Sequence, residues 1–287
     1  MGKIDSDSSS HLHIAFSGDY NVTEHNKSLQ AAKELQRQHK ENVAFSNLSS
    51  ELHPTTEDEA YAIQRELFTL RKSGWGDIAG YKVALTSEVM QRMLNFPSPF
   101  SGPLHANLIQ KSGARLIASD YGRLCIECEI AAILRDDLPR RDQPYTRNDI
   151  EDAVDMIAPA LEIVDDRRAD YDHISKEVHT LIADNAWNKG LVHGTLVRDW
   201  RQLDLASLQG TVSINGHVTG TGKGADVLGH PFEALAWLTN KVLSQGKTIK
   251  SGMTIMTGTM IKTQFVSAGD TLTFHIPELG SVTTEIL

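Results

Sequence analysis

The feature that most constrains this chain is an apolar segment, residues 124–134, that contains two acidic side chains. Its Ile, Leu and Cys content predicts a strand, in which successive side chains point to opposite faces. Ile126 and Cys128 would then lie on a core face, while Glu127 and Glu129 would share the other face. The segment is too hydrophobic for an ordinary surface strand, so the two carboxylates need a specific environment.

Two carboxylates held about 4 Å apart repel by about 4 kcal/mol at an effective dielectric near 20. Solvent, a shared proton or a bound cation can each relieve this repulsion, and the spacing alone does not choose between them. Glu162 lies in a second apolar run, residues 160–165, where an unpaired buried carboxylate would be costly. Three carboxylates from two strands would form an all-oxygen site suited to Mg²⁺ or Mn²⁺.

Lys82 is a single lysine within the otherwise apolar run of residues 80–87. One interpretation is a surface lysine whose stem covers apolar residues while its ammonium group reaches water. The other is a cation that faces the carboxylates, where it could bind a substrate carboxylate or relay a proton.

Other chemical motifs are weaker. Cys125 and Cys128 form a CxxC, but a strand would place them on opposite faces, and no second Cys or His pair has zinc spacing. The glycine-rich residues 220–224 lack the phosphate-loop spacing, and we expect a tight turn there. No G-x-S-x-G motif indicates a nucleophilic serine.

Composition narrows the class of protein. The 287 residues are 40% hydrophobic and carry a net charge of −9, enough for one large domain or two small ones. The acidic balance argues against nucleic acid or an anionic membrane as the main partner. We find no signal peptide and no membrane-length apolar run, so we expect a cytoplasmic protein.

Periodicity predicts an α+β chain. Residues 1–25 form a polar arm, which could also order against a neighbouring subunit. Thr56 and Glu59 form a capping box that opens a helix ending at Gly74. Further helices are predicted over residues 148–159, ending at a proline, and 231–246, beginning with one. Strands are predicted over residues 124–134, 160–165, 211–218, 253–257, 271–276 and 281–286, with a hairpin connection at 277–280. We expect an antiparallel or mixed sheet that can close on itself.

Eight segments together resemble the 2-keto-4-pentenoate hydratase and 4-oxalocrotonate decarboxylase group of the fumarylacetoacetate hydrolase superfamily. They occur in that group's order from about residue 26 to the end: AYAIQ at 60–64, GYKVALTS at 80–87, ECE at 127–129, ALEIVD at 160–165, IADNA at 182–186, VLGHP at 227–231, AGD at 268–270 and LGSV at 279–282.

The resemblance implies a β-roll or barrel-like core with surrounding helices, and a homo-oligomer. We divide the chain into the arm, a mixed helical subdomain at 26–110 and a β-rich catalytic core at 111–287. The resemblance also implies Mg²⁺ or Mn²⁺ on the three glutamates and a small 2-oxo acid as substrate. Lys82 matches the catalytic lysine, and Thr86, Asp184 and Asn185 are expected to contact the substrate.

The implied activity is that of a lyase that acts through a metal-stabilised enolate, and we favour a 2-keto-4-pentenoate-type hydratase. Decarboxylation of a 2-oxo-enedioate is the alternative, followed by C–C hydrolysis of a diketo acid and by a non-catalytic scaffold. Three positions depart from the hydratases. The stretch 96–100 lacks two acidic residues, Trp187 replaces the usual serine, and residues 256–258 look closer to the decarboxylases.

Overall fold

The computed structural model describes residues 22–287, and the predicted N-terminal arm lies outside them except for residues 22–25. The helices are α1 (Val22–Lys40), α2 (Glu57–Trp75), α3 (Glu88–Leu94), α4 (Arg147–Ala153), α5 (Val178–Ala183) and α6 (Pro231–Ser244). The strands are β1 (Ile78–Ala84), β2 (Phe100–His105), β3 (Ile109–Lys111), β4 (Ala114–Leu116), β5 (Leu124–Leu134), β6 (Val154–Asp165), β7 (Asn188–His193), β8 (Gln209–Ile214), β9 (His217–Lys223), β10 (Thr254–Met256), β11 (Gln264–Phe265), β12 (Thr271–Ile276) and β13 (Gly280–Ile286).

The strands form two sheets. The larger has the order β2-β1-β10-β5-β6-β7-β3, with β11 paired to β5, and the smaller has the order β4-β13-β12-β8-β9. Most neighbours are antiparallel, but β1 and β10, β3 and β7, and β13 and β4 run parallel. The α+β class with a mixed, curled sheet is therefore confirmed.

The predicted alternation along β5 is confirmed. Ile126, Cys128 and Ile130 belong to the main apolar core, which also contains residues of β12, β13 and α6. The opposite face of β5 is also covered, since Cys125 packs in a second cluster with residues of α1, α2 and α5. Because β5 is covered on both faces, Glu129 is fully buried and Glu127 is partly buried.

The predicted helix over residues 148–159 is wrong in its second half. Helix α4 begins after the N-cap Thr146, which forms a capping box with Asp149, and it ends at Ala153. Val154 opens β6, a twelve-residue strand that includes Pro159. Pro159 lies just outside the ladder in which 160–164 pair with β7, so its missing N–H removes no bond from that ladder.

The expectations for residues 211–224 are confirmed only for the strand at 211–214, while its extension to residue 218 and the tight turn at 220–224 are wrong. The chain forms a hairpin, β8 and β9, that turns at Asn215 and Gly216, both of which have positive φ. The glycine-rich residues lie in β9 because a neighbouring segment packs closely against them. A Cβ on Gly222 would lie 1.9 Å from the carbonyl oxygen of Met260.

The remaining predicted elements are confirmed with small shifts. Helix α2 has Thr56 as its N-cap, although Glu59 accepts from the backbone of Thr55 rather than from that of Thr56. Helix α6 starts at Pro231, and residues 277–280 connect β12 to β13. In the described part of the chain, no helix combines the length and hydropathy needed to cross a membrane.

Candidate metal centre

The antiparallel pairing of β5 and β6 brings the three predicted carboxylates together. Glu127 is directly opposite Glu162 in the ladder, and Glu129 lies two residues further along the same face of β5. One carboxylate oxygen from each residue lies within 4.8 Å of the other two. This is the arrangement that the sequence predicts from the alternation of β5 and the apolar surroundings of Glu162.

Each carboxylate is oriented by one hydrogen bond from a neighbouring segment. Thr263 Oγ1 donates to Glu127 Oε1, the backbone N–H of Gly258 donates to Glu129 Oε2, and Asn188 Nδ2 donates to Glu162 Oε1, each at 2.8 Å. The other oxygen of Glu129, Oε1, is buried and has no hydrogen-bond partner among the described residues. A buried carboxylate oxygen with no donor is costly unless a ligand satisfies it.

The charges of the cluster do not balance. Burial, followed by repulsion from Glu162, raises the pKa of Glu127 to about 7 and that of Glu129 well above its usual value. Lys82 is the nearest cation, with Nζ 3.5 Å from Glu162 Oε1. One ammonium group cannot neutralise three carboxylates, whereas one further divalent cation would. The donor set, the charge and the unpartnered oxygen therefore fit Mg²⁺ or Mn²⁺.

Lys82 is not a surface residue. It lies on β1 with 1% of its surface exposed, which excludes the interpretation of a lysine reaching out to water. Its ammonium group lines the cavity next to the carboxylates, and it makes no hydrogen bond within residues 22–287. It is thus available to bind an anionic group or to transfer a proton.

Glu127 and Glu162 line a cavity of about 110 Å³, whereas Glu129 does not. Lys82 and Thr86 also line it, and Lys82 is the only lysine or arginine that residues 22–287 contribute to its lining. Much of the remaining lining is apolar and includes Leu85, Met90, Phe100, Leu181 and Trp187. Two larger grooves border α1, but none of the three carboxylates lines them.

The predicted substrate contacts divide into two groups. Thr86 lines the cavity, and its hydroxyl makes no hydrogen bond to other described residues. Asp184 and Asn185 do not line the cavity. Asp184 turns inward to Arg167 and His39, and the side-chain amide of Asn185 donates to the carbonyl of Pro103. Contact of either residue with the substrate stays a prediction, and Asn185 Oδ1 is buried with no hydrogen-bond partner among the described residues.

Several residues of the site are missing from the sequence prediction. Asn188 reaches Glu162 because β7 pairs with β6, and Thr263 reaches Glu127 because β11 lies beside β5. Neither residue lies in a recognisable motif, and only the strand order brings them close. The sequence singles out the segment 256–258, but it does not predict the hydrogen bond from the Gly258 N–H to Glu129.

The fold and site are those of a metal-dependent enzyme, and carboxylates from two adjacent strands are placed where they could hold its divalent cation. The chain belongs to the fumarylacetoacetate hydrolase family, since the family model described as "Fumarylacetoacetate (FAA) hydrolase C-terminal" matches residues 81–287.

Similar proteins agree with this membership. The 2-keto-4-pentenoate hydratase of Paraburkholderia xenovorans (strain LB400) is 36% identical over 229 residues, which cover 79% of this chain and 83% of that protein. The 4-oxalocrotonate decarboxylase of Pseudomonas putida is 29% identical, with 87% and 95% covered. The solved structure of 4-oxalocrotonate decarboxylase from Pseudomonas putida G7, complexed with magnesium and adipate, has a TM-score of 0.82, 26% identity, and 91% and 98% coverage.

Proposed function

We propose that this chain is a Mg²⁺- or Mn²⁺-dependent hydratase that adds water to a small 2-hydroxy-2,4-dienoic acid with a single carboxylate. The named hydratase and decarboxylase relatives and the three-carboxylate site support an enzyme of this kind. The proposal includes a cytoplasmic location and a homo-oligomer, as the sequence resemblance implies.

The observation that carries the choice of substrate is the lone cation of the cavity. Lys82 lies beside Glu162, and the wall of the cavity elsewhere includes apolar side chains such as Leu85, Phe100 and Leu181. A second substrate carboxylate would be buried against this wall without a charged partner, which is costly. An acid with one carboxylate and an uncharged tail fits, and the hydratase substrate has that form.

The residues can be assigned roles. Glu127, Glu129 and Glu162 would hold the divalent cation, which when bound supplies a Lewis acid that stabilises negative charge on an enolising 2-oxo acid. Lys82 Nζ binds the substrate carboxylate and carries the proton that moves between the enol and keto forms. The Thr86 hydroxyl donates to a substrate oxygen, and the apolar wall excludes all but the reacting water.

A decarboxylase of a 2-oxo-enedioate is the second candidate. The observation that favours it is the small number of acidic residues in the lining of the cavity. The stretch 96–100, in which hydratases often have acidic residues, contributes Phe100 to the lining. Among residues 22–287, the only acidic residues in the lining are Glu127 and Glu162. An apolar end of a cavity can also favour loss of a carboxylate as neutral CO₂.

Turnover of two substrates tests the proposal. Purified protein with Mg²⁺ is incubated with 2-hydroxypenta-2,4-dienoate or with 2-oxohex-3-enedioate, while dienol absorbance and CO₂ are followed. Loss of the dienol without CO₂ is the expected result, and Glu127→Gln serves as the inactive control. Release of CO₂ from the diacid alone would assign the decarboxylase. Protein that binds no stoichiometric Mg²⁺ or Mn²⁺ would be a scaffold.

A further inference from the structure

A turn of unusual conformation lies between the cavity and the buried Asp184. Asn185, Ala186 and Trp187 have φ values of 56°, 45° and 62°, so three successive residues are left-handed and none is glycine. The left-handed conformation is unfavourable for residues that have a Cβ atom, and it persists only where surrounding contacts hold it. We call residues 185–187 the left-handed turn.

Asp184 anchors the start of the turn. Its Oδ2 accepts from Arg167 Nη2 at 2.7 Å and its Oδ1 accepts from His39 Nε2 at 2.6 Å, with Arg71 Nη2 at 3.9 Å. Burial opposes ionisation of Asp184, but the hydrogen bond from His39 and the positive charges of Arg167 and Arg71 prevail and lower its pKa. Burial lowers the pKa of His39 to about 3, so the histidine is a neutral donor. The anchor is a buried, ionised aspartate that accepts hydrogen bonds from α1 and from the loop after β6 and lies near a guanidinium group of α2.

Further bonds hold the body and the end of the turn. The side-chain amide of Asn185 donates to the Pro103 carbonyl at 3.1 Å, and the backbone N–H of Trp187 donates to the Asp184 carbonyl at 3.0 Å. The next residue, Asn188, donates to Glu162. The turn is therefore fixed between a buried ion pair on one side and a carboxylate of the metal centre on the other.

The turn places Ala186 and Trp187 in the lining of the cavity. Trp187 is 7% exposed, and its ring meets Phe45 edge-on with centroids 4.9 Å apart and planes at 84°. The ring of Tyr171, which also lines the cavity, lies edge-on at 6.3 Å. Contacts with these two rings restrict movement of the indole away from a longer ligand.

We propose that Trp187 limits the length of the substrate tail, and that Asp184 is a positioning residue that holds Trp187 in place through the left-handed turn. This inference rests on the proposed function and adds to it the substrate class, 2-hydroxy-2,4-dienoates with a short, uncharged tail. It also gives Asp184 a role without substrate contact.

The size of residue 187 is tested with two substrates, 2-hydroxypenta-2,4-dienoate and its longer analogue 2-hydroxyocta-2,4-dienoate. Trp187→Ser is expected to shift the ratio of kcat/KM values toward the longer substrate by about tenfold or more, the discrimination that a fitted apolar pocket provides. Trp237→Ser is the control, because Trp237 lies on α6 and does not line the cavity. An unchanged ratio in Trp187→Ser overturns the inference.

The positioning role is tested with Asp184→Asn, which removes the charge and keeps the shape. The same ratio is expected to shift toward the longer substrate, while Mg²⁺ binding, measured by calorimetry, persists. A merely structural loss would lower both kcat/KM values equally and leave the ratio at its original value, which contradicts the proposal. If Asp184→Asn fails to fold, His39→Ala, which leaves the Arg167 pair, is expected to shift the ratio in the same direction.

Failure of the proposed function would give a different result. Wild-type protein would then turn over neither dienoate, and the wall is tested by binding alone. With Mg²⁺ present, calorimetry compares 2-oxopentanoate with 2-oxooctanoate in wild type and in Trp187→Ser. A relative gain of affinity for the longer acid supports the role of Trp187, and equal ratios overturn it.

Discussion

Glu127 and Glu162 stand directly opposite each other in the antiparallel ladder of β5 and β6. Directly paired residues bring their Cβ atoms to about 4.5–5.5 Å, where like charges destabilise a sheet. The pair is nevertheless kept inside the protein, with Glu129 beside it. A cation bound between them would relieve this repulsion, and the proposed metal-dependent reaction would account for the presence of this unfavourable pair.

Removal of one carboxylate should have opposite effects on metal binding and on metal-free stability. Glu127→Gln is expected to weaken Mg²⁺ binding by more than about 100-fold, since loss of groups outside the ligand set already costs about 10–100-fold. The free energy of unfolding of the metal-free variant should be higher than that of the metal-free wild type by roughly 1–2 kcal/mol, because a buried charge is removed. Calorimetry and urea denaturation measure the two effects. Glu285→Gln, an exposed site on β13, should change neither; reduced metal-free stability in Glu127→Gln would contradict the prediction.

The pH dependence follows from the raised pKa values. Burial and then Glu162 raise the pKa of Glu127 from 4.5 to about 7 in the metal-free protein, so the folded state binds more protons than the unfolded state between these values. The free energy of unfolding of the metal-free protein should therefore fall as pH rises through this window, and the affinity for Mg²⁺ should rise. Denaturation in EDTA and Mg²⁺ titrations from about pH 5 to about pH 8 measure both. Glu127→Gln should flatten both dependences, and pH-independent Mg²⁺ affinity would refute this assignment.

Lys82 should matter for turnover and not for metal retention. Lys82→Met is expected to lower kcat/KM by about 10²–10⁴-fold, the usual contribution of a proton-transferring group. Mg²⁺ binding should be kept or strengthened, because a positive charge 3.5 Å from Glu162 is removed. Kinetics and calorimetry on the same preparation separate these effects. Lys250→Met, at an exposed lysine paired with Asp137, is the control. Wild-type turnover by Lys82→Met would exclude its catalytic role.

Asn188 should affect the metal through Glu162. Asn188→Ala removes the donor that fixes Glu162 Oε1, and we expect Mg²⁺ affinity to fall by about 10–100-fold. Asn107→Ala, which removes an exposed amide bonded to the carbonyl of Gly74, is the matched control. Equal affinity for the two variants would show that Glu162 needs no such support.

Gly258 lies between Glu129, a proposed metal ligand, and Thr86, a proposed substrate contact. Its N–H bonds to Glu129, and a Cβ at this position, where φ is 96°, would lie 2.3 Å from Thr86 Oγ1. Gly258→Ala is expected to lower both Mg²⁺ affinity and kcat/KM by at least about tenfold. Gly229→Ala is the control, because φ there is 82° and the space around it is open. If both variants behave alike, backbone strain alone accounts for the effect.

Much of the metal centre could be predicted because its information is local. The period of two along β5 places Glu127 and Glu129 on one face, and the apolar neighbours of Glu162 indicate burial. What brings Glu162 opposite Glu127 is the register of two strands, which no local pattern encodes. The same holds for Asn188, which acts from a third strand.

The contacts of Asp184 were harder to predict for a different reason. Its partner His39 lies 145 residues away on α1, and ion pairs between distant elements leave no periodic signal. The helix predicted over residues 148–159 is wrong because the spacing of Val154 and Ile157 fits one face of a helix, whereas β-branched residues also favour a strand. Pairing with β5 makes this segment a strand.

The division of the three ligands between β5 and β6 also matters during folding. A slip of one residue between these strands would turn Glu162 to the opposite face and separate it from Glu127 and Glu129. A divalent cation held by these three carboxylates would therefore bind tightly only to chains whose two strands pair in the correct register, and by mass action it would favour that register over misaligned ones.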